Sequence, residues 1–296
     1  MGARILYYLL LKPISWLPYF ILYRVSDFVY LLFRTVFPYR KKVVEGNIAK
    51  CFPEKSHQER RNIRNAFYRH LADVFVESFK NFSITKKQIE QRFVCTNPGV
   101  LDEVAAHGQG IVLAGGHYNN WELYAMAAAD HFTGRTMAIY KRIKNPWFDK
   151  KMRETRGKYG LELVPTIEAS EWMRKNAADK IVCIYAIDQS PANPTKAHWI
   201  NFMGQRTAAY YGPEKHARQY KLAVVYGHIY KVKRGHYTIT YEQVTSDVEQ
   251  FANGALIERL NAILEQDIHR APEFWLWSHK RWKHKEPLTQ TASETA

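Results

Sequence analysis

The sequence predicts an α/β fold, with a mostly parallel central sheet flanked by helices and an N-terminal membrane-associating helical segment. From about residue 92 onward, short β-type apolar runs alternate with helical stretches of roughly 10–15 residues, which is the pattern of successive βαβ units. The first forty residues differ in composition and are dense in Leu, Tyr and Phe. We therefore expect membrane-associating helices over 1–38, an α/β domain over 39–285 and a disordered tail over 286–296.

The apolar N-terminal segment favours helices that lie in the membrane interface. Charged residues, among them Lys12 and Arg34, interrupt it, so no apolar stretch approaches the ~20 residues that a spanning helix needs. Its aromatic residues suit the interface, and the basic cluster YRKK at 39–42 suits anionic headgroups. Two alternatives stay open: a tilted span in which Arg24 pairs with Asp27, and a buried helical hairpin.

An amphipathic helix is predicted at 56–82. Ser56 and Glu59 form a capping box at its start. Apolar residues then recur at helical spacing and form one stripe, which we expect to face the core. The stripe consists of Ile63, Phe67, Leu71, Phe75 and Phe79.

The α/β region contains four predicted strands and a later β-hairpin. The strands are expected at 111–115, 135–141, 161–165 and 180–188. Helices are expected between them near 119–130, 145–159 and 167–177, with a last one at about 249–268. The runs LAVVYGHIY and HYTITYEQV are joined by KVKRG, which is too short for a crossover. These two runs therefore predict an antiparallel pair.

Composition limits the kind of partner. The 296 residues include 43 Lys and Arg against 28 Asp and Glu, a net charge of +15, which favours an anionic partner such as nucleic acid, an anionic membrane surface or an acidic protein. Cys51, Cys95 and Cys183 have neither disulfide nor zinc spacing, which indicates reduced thiols in a protein facing the cytosol. His279 and His284 are too loosely spaced to bind zinc by themselves, and we predict no metal site and no cofactor.

A histidine at the end of the first of these four predicted strands is the main candidate for chemistry. That strand ends in Gly115 and Gly116, and His117 follows at the edge where open α/β sheets bind ligands. A histidine that acts as general base needs an acid at its other ring nitrogen, and Glu122 lies one helical turn further on. Alternatively, Asn119 caps the helix and Glu122 only completes a capping box.

Six segments in order resemble the lipid A late acyltransferases of lauroyl/myristoyl type, a branch of the glycerolipid acyltransferase superfamily. Together they extend over nearly the whole chain. The His-x4-acid unit alone is weak evidence, but six ordered segments at similar spacing are strong evidence. The segments are RKKVVEGNIAKCFPEKSHQERRNIRNAFYRH, GGHYNNWEL, YKRIKNPWFDKKMRETRGKYGLELVP, AIDQSP, NFMGQRTAAYYGP and PEFWLWSHKRWK.

The resemblance implies a membrane-associated O-acyltransferase. Such an enzyme moves a fatty acyl chain from an acyl thioester, carried by acyl carrier protein or coenzyme A, to a hydroxyl of a lipid A precursor. It implies that His117 is the general base and that Glu122 orients it. The developing thioester oxyanion would be bound by backbone N–H groups near Gly115 and Gly116 or by a nearby cation.

The cation is where this chain departs from the family. The family has a basic residue in a Tyr-Arg-Pro context, whereas this chain reads Tyr140-Lys141-Arg142. Lys141 matches by position, and Arg142 offers the planar fork that suits phosphate. Both are candidates for binding the oxyanion or the acyl donor, and the alternative for both is a solvated basic surface.

Further candidates for substrate binding follow from the same resemblance. Two arginines on one helical stretch are candidates for a phosphate of acceptor or donor, two residues at a strand end lie beside the family's active site, and three more lie in the NFMGQRTAAYYGP segment. They are Arg153, Arg156, Asp188, Gln189, Gly204, Arg206 and Thr207. The alternatives are exposed helix charges for the arginines and a turn cap for Asp188.

The expected partners are an acyl carrier protein, anionic membrane lipid and a glycolipid acceptor, at the cytoplasmic face of the bacterial inner membrane. Related acceptors stay open: a lysophospholipid, an amino-acid lipid or a phosphatidylinositol mannoside. A remote alternative is a basic nucleic-acid-binding protein, because the C-terminal FWLWSHKRWKHK mixes aromatic and basic residues. That alternative leaves the apolar N-terminus and the unit of His117 and Glu122 unexplained, and no standard nucleic-acid motif is present.

Overall fold

The structure is a computed structural model that describes residues 2–37, 39–108 and 110–287. Nine strands are present in this part of the chain: β1 (Phe93–Cys95), β2 (Ile111–Gly115), β3 (Arg135–Tyr140), β4 (Glu162–Pro165), β5 (Ile181–Ala186), β6 (His198–Phe202), β7 (Gln205–Ala209), β8 (Ala223–Lys233) and β9 (His236–Thr245). Seven of them form one sheet in the order β1-β9-β8-β2-β5-β3-β4. All neighbours in it are parallel except β8 and β9. The predicted α/β fold with a mostly parallel sheet is confirmed.

Helices cover both faces of this sheet. Their bounds are α1 (Gly2–Leu6), α2 (Lys12–Trp16), α3 (Tyr19–Thr35), α4 (Lys41–Cys51), α5 (His57–Lys80), α6 (Lys86–Arg92), α7 (Val100–Ala105), α8 (Trp121–Ala127), α9 (Pro146–Arg156), α10 (Ala169–Asn176), α11 (Gly212–Tyr220) and α12 (Ala255–Arg270). A π-helical turn, Tyr7–Leu11, joins α1 to α2.

The central strand β2 shows why the sheet is buried on both sides. Ile111 and Leu113 belong to one hydrophobic cluster, and Val112 and Ala114 belong to the cluster on the opposite face. All four are at most 2% exposed. A continuous apolar run is typical of a parallel strand whose two faces are both covered by helices.

The predicted amphipathic helix is present as α5, with the Ser56 and Glu59 capping box at its start. The prediction that the apolar stripe of this helix faces the core is only partly confirmed. Phe67 and Leu71 are buried, whereas Phe75 is 42% exposed. The reason is that the second half of α5 forms one wall of an open cleft, described below, instead of packing against the core.

Two hairpins complete the fold. The predicted antiparallel pair is β8 and β9. The pair β6 and β7 was not predicted, because the segment NFMGQRTAAYYGP was interpreted only as a family motif. Its turn consists of Met203 and Gly204, both with left-handed φ, +51° and +69°. This backbone suits a two-residue hairpin turn, where glycine is favoured.

The N-terminal helices are half buried. On α3, Leu22 and Ser26 are fully buried against the protein, whereas Phe20 is 71% and Phe28 is 59% exposed. The segment therefore differs from the buried hairpin that stayed open as an alternative. Among the residues described, no helix has both the length and the hydropathy needed to cross a bilayer.

Polar contacts hold this segment on α5. Ser26 Oγ donates to Asp73 Oδ1 at 2.7 Å, and Tyr23 Oη donates to Glu77 Oε1 at 2.9 Å. Lys80 Nζ donates to the carbonyl oxygen of Ser15 at 2.8 Å. The groups from α5 are all buried, so each of these bonds satisfies a polar atom that water does not reach.

The predicted disordered tail, 286–296, falls largely outside the described residues, which end at 287. Glu286 is described, and its carboxylate forms a two-point ion pair with Arg206, with N–O distances of 2.8 and 2.9 Å. This ion pair holds Glu286 against the hairpin of β6 and β7.

Candidate active site

His117 and Asp188 meet at the carboxyl edge of the sheet because two neighbouring strands end there. In the parallel pair of β2 and β5, Gly115 lies opposite Ala186. His117 follows the first by two residues and Asp188 follows the second by two. The imidazole Nδ1 lies 2.7 Å from Asp188 Oδ1. This edge is where open α/β sheets bind ligands.

Asp188 is held as a carboxylate by three hydrogen bonds. Besides the imidazole, its Oδ2 accepts from the backbone N–H of His117 and from Trp275 Nε1, each at 2.9 Å. Burial alone would raise the pKa of Asp188, but the charge of His117 and these hydrogen bonds outweigh burial and lower that pKa to about 2. Asp188 is therefore a fixed, ionised partner for the imidazole.

The ionised carboxylate fixes the tautomer of His117. Because Asp188 can only accept, Nδ1 carries the proton and Nε2 presents its lone pair. Gln189 Nε2 lies 3.2 Å from that nitrogen and donates to it. Burial lowers the pKa of His117, but the Asp188 charge and hydrogen bond outweigh it, so the pKa is raised overall. Nε2 is thus the atom available to take a proton.

Glu122 is not the partner that the sequence led us to expect. Asn120, not Asn119, caps α8: its side chain accepts from the backbone N–H of Leu123 at 2.8 Å, so Glu122 is the second helical residue and the capping box is absent. The Glu122 carboxylate instead binds Arg156 at two points, 2.6 and 3.0 Å. It also contributes to raising the pKa of His117 through its charge.

Buried polar contacts hold the turn between His117 and α8. Asn119 adopts left-handed φ, +56°, and donates from Nδ2 to the carbonyl oxygen of Ile229 at 2.7 Å. Asn120 donates from Nδ2 to Glu77 Oε2 on α5 at 2.5 Å. Asparagine tolerates the left-handed region better than most residues, which accounts for its place here. The turn is thus fixed to both the sheet and α5.

The glycines before His117 have a packing role. A Cβ atom added to Gly116 would lie 2.7 Å from Leu264 of α12, and one added to Gly115 would lie 3.6 Å from the carbonyl oxygen of Gly227. Leu264 would have to shift to accommodate a Cβ at position 116, so Gly116 allows this turn and α12 to lie close together. The resemblance implied that backbone N–H groups near these glycines bind the thioester oxyanion, and that assignment stays a prediction.

An apolar cleft of about 410 Å³ begins beside His117. Trp121, whose ring lies edge-on to the His117 imidazole with centroids 5.3 Å apart, is one of its lining residues, and so is Glu122. The other lining residues come from the loop before α4, from α5 and the turn after it, from α9 and from the C-terminal segment. They are Tyr39, Arg40, Leu71, Val74, Phe75, Ser78, Phe79, Phe82, Phe148, Met152, Leu276, Ser278 and His279. A mostly apolar cleft of this size suits a hydrocarbon chain.

The C-terminal aromatic and basic segment closes the back of the site. Trp275 and Trp277 are at most 1% exposed, and Asn47 of α4 donates to the carbonyl oxygens of Trp277 and His279 at 2.8 and 2.9 Å. His279 Nε2 accepts from the backbone N–H of Ser190 at 3.0 Å. Burial lowers the pKa of His279 to about 4, which keeps it neutral for this role. Trp275 was not among the predicted site residues; its only signal was its place in a resembling segment.

The basic residues after β3 lie at the surface. Lys141 and Arg142 are both exposed, and Arg142 forms an ion pair with Glu168. On α9, Arg153 is half exposed and pairs with Asp149 at 3.3 Å. Arg156, in contrast to these three residues, forms an ion pair with Glu122.

The predicted residues of the third segment lie on the β6 and β7 hairpin. Gly204 forms its turn, and Arg206 pairs with Glu286. Thr207 Oγ1 accepts from Arg281 Nη1 at 2.8 Å. Arg281 is fully buried and belongs to the C-terminal segment that closes the site. Only Thr207 among these residues is thus connected to the wall of the site.

Comparisons with known sequences match nearly the whole chain to one family. The sequence profile of the family described as bacterial lipid A biosynthesis acyltransferase matches residues 2–284. The lipid A biosynthesis palmitoleoyltransferase of Escherichia coli (strain K12) is 22% identical over 274 residues, covering 90% of this chain and 86% of that protein. The lipid A biosynthesis acyltransferase of Shigella flexneri matches with the same identity and coverage.

Proposed function

Since the chain belongs to the bacterial lipid A biosynthesis acyltransferase family and is therefore an acyltransferase, we propose that it moves a fatty acyl chain from an acyl thioester to a hydroxyl of a lipid A precursor. The observation that carries this proposal is the pair of His117 and Asp188, 2.7 Å apart, next to an apolar cleft whose lining includes Trp121, the ring that lies edge-on to the His117 imidazole. The arrangement places a general base beside space for a hydrocarbon chain.

In the proposed reaction, His117 Nε2 takes the proton of the acceptor hydroxyl while that oxygen bonds to the thioester carbonyl carbon. Asp188 orients the imidazole and stabilises the imidazolium that forms. The tetrahedral intermediate then collapses, the C–S bond breaks and the imidazolium returns its proton to the departing thiolate. Gln189 donates to Nε2 in the structure; in the proposed reaction the acceptor hydroxyl replaces it there, and the amide then donates to the thioester oxygen.

Glu122 and Arg156 have a bracing role in this proposal. Their two-point ion pair joins α8, which follows the histidine turn, to α9, which contributes Phe148 and Met152 to the cleft. Both side chains are only partly exposed, 15% and 22%, which makes such a pair stronger than one at the surface. The ion pair thus fixes the position of His117 relative to the hydrocarbon cleft.

The proposed reaction is tested by mass spectrometry of membrane lipids from cells with and without the gene. We expect lipid A that lacks one acyl chain when the gene is absent, and restoration by the wild-type gene but not by the His117→Ala gene. Unchanged lipid A together with a missing acyl chain on another lipid would contradict the proposed acceptor.

We also propose that the N-terminal helices attach the protein to a membrane surface. Most of the exposed large apolar side chains of the described residues lie between residues 5 and 39, including Leu9 at 75%, Phe20 at 71% and Trp16 at 64%. A patch of this kind on helices lying along the surface suits the interface between headgroups and acyl chains. Tyr39, which is also exposed, lines the cleft, so the cleft opens beside this patch.

The attachment is tested by placing charge on the patch. We expect the double variant Leu9→Glu, Phe20→Glu to bind anionic liposomes at least ~10-fold more weakly, because each buried apolar side chain contributes about 1.5–3 kcal/mol. Liposome flotation measures this. The matched control is Val94→Glu, Ile167→Glu, two side chains that are 47% and 83% exposed outside the patch. Equal loss of binding in both double variants would contradict the assignment of the patch.

A further inference from the structure

A basic groove lies between α4 and the first half of α5, apart from the apolar cleft. It encloses about 190 Å³ and is lined on α5 by His57, Arg60, Arg61 and Arg64. These four have the i, i+3, i+4, i+7 spacing of one helix face. Glu45 is among the lining residues from α4. We call this feature the α4–α5 groove.

The positive charge of the α4–α5 groove is only partly compensated. Glu45 forms an ion pair with Arg64, and Arg60 Nη1 donates to the carbonyl oxygen of Phe52 at 3.5 Å. Within the described part of the chain, no carboxylate pairs with Arg60 or Arg61. Residues 40–64 contain eight Lys and Arg against three Glu, a net charge of +5. These 25 residues therefore carry a third of the chain's net charge of +15.

The surface around the groove differs from the membrane patch. The exposed large apolar side chains of the N-terminal half end at Tyr39 and resume at Phe75, and none is described between 40 and 74. A membrane-inserted face needs such side chains, whereas a face that meets a soluble acidic protein does not. Charge without exposed apolar side chains thus favours a protein partner here.

The distance from the groove to the candidate active site is comparable with the length of the arm of a carrier protein. Glu77 of α5 accepts from Asn120, which caps the helix after His117. Arg61, one of the two groove arginines without a carboxylate partner, lies sixteen residues before Glu77 on the same helix, or about 24 Å at 1.5 Å per residue. The phosphopantetheine arm of a carrier protein has a chain as long as roughly five extended residues, on the order of 17 Å. The two lengths are of the same order.

We propose that the α4–α5 groove is the docking site for an acidic carrier protein that delivers the acyl thioester. Arg60 and Arg61 would bind carboxylates on a helix of that protein, since the planar guanidinium binds a carboxylate at two points. The arm then extends along α5 and places the acyl chain in the apolar cleft. This inference rests on the proposed acyl transfer from a thioester.

The test compares two donors with the full-length protein: the acyl thioester of an acyl carrier protein and acyl-pantetheine, which lacks the carrier. For Arg60→Glu, Arg61→Glu we expect the KM for the acylated carrier protein to rise at least 10-fold, with kcat and the acyl-pantetheine reaction unchanged. The matched control is Arg174→Glu, Lys215→Glu, which makes the same charge change on exposed residues of α10 and α11. The wild-type KM is expected to rise with ionic strength, because exposed charge pairs are screened.

The outcomes separate the two proposals. If the wild-type protein transfers acyl groups from neither donor, the proposed function fails. If it does transfer them, an unchanged KM in the groove variant, or an equal rise in the control variant, overturns the docking site. An equal loss with acyl-pantetheine would mean that the arginines act on the reaction itself. Loss of liposome binding, measured by flotation, would assign the groove to lipid headgroups instead.

Discussion

The His117→Ala variant is expected to lose acyl transfer by about 10³-fold, within the 10²–10⁴-fold range that general base catalysis contributes. The reason is that Nε2 takes the proton of the acceptor in the proposed reaction, while Asp188 binds the other ring nitrogen. The measurement is kcat with purified protein and an acyl thioester donor.

Two control variants separate a loss of catalysis from a loss of folding. The side chain of His117 is 18% exposed, so its removal leaves Asp188 with the backbone N–H of residue 117 and Trp275 as donors. The conservative variant His117→Asn keeps an amide that can donate to Asp188. His198→Ala, which removes a histidine paired with Glu258 at 3.2 Å, is the matched control and should retain activity. A folded His117→Ala protein within ~3-fold of wild-type kcat would contradict the role of general base.

The Asp188→Asn variant is expected to lose more activity than Glu122→Gln. Asparagine presents an amide that favours the wrong tautomer, so kcat should fall on the order of 10³-fold. Glu122→Gln removes only the charge that pairs with Arg156, and we expect a fall of about 10-fold. The comparison of kcat in the two variants decides which carboxylate serves the base. A larger loss of kcat in Glu122→Gln than in Asp188→Asn would instead support Glu122, the partner of His117 that the sequence suggested.

The pH profile gives an independent measure of the same pair. The pKa of His117 is raised by Asp188, and a general base must be deprotonated to act. Activity of the wild-type protein should therefore rise with pH through a value above 6.5, the ordinary pKa of histidine. In Asp188→Asn the raising charge is gone while burial still lowers the pKa, so the acid limb of kcat/KM should move to lower pH. An unmoved limb would contradict the pairing.

The choice of partner for His117 shows what the sequence could and could not predict. The strands around it were predicted to within two residues, because continuous apolar runs mark buried parallel strands. Glu122 was favoured because it is five residues away, whereas Asp188 is 71 residues away. The signal was nevertheless present: both His117 and Asp188 lie at the carboxyl ends of predicted strands. What the sequence lacked was the strand order, which makes β2 and β5 neighbours.

The remaining differences arise from tertiary packing that local patterns do not encode. The hairpin of β6 and β7 is short and its turn, Met203 and Gly204, was interpreted as part of a motif. The exposure of Phe75 depends on a cleft built by helices distant in sequence. Gly116 packs closely against Leu264, a contact between residues far apart in the chain.

The contacts along α5 have a consequence for how the protein unfolds. Asp73, Glu77 and Lys80 hold the N-terminal helices, and Glu77 also accepts from the residue that caps the helix after His117. Detaching the N-terminal helices would break these hydrogen bonds. Lys80 would lose both of its acceptors, the carbonyl oxygens of Ser15 and Leu17, and a buried group left unsatisfied costs about 1–3 kcal/mol. The first forty residues and the turn that carries His117 are therefore connected through α5, and we expect local opening at either end to weaken the other.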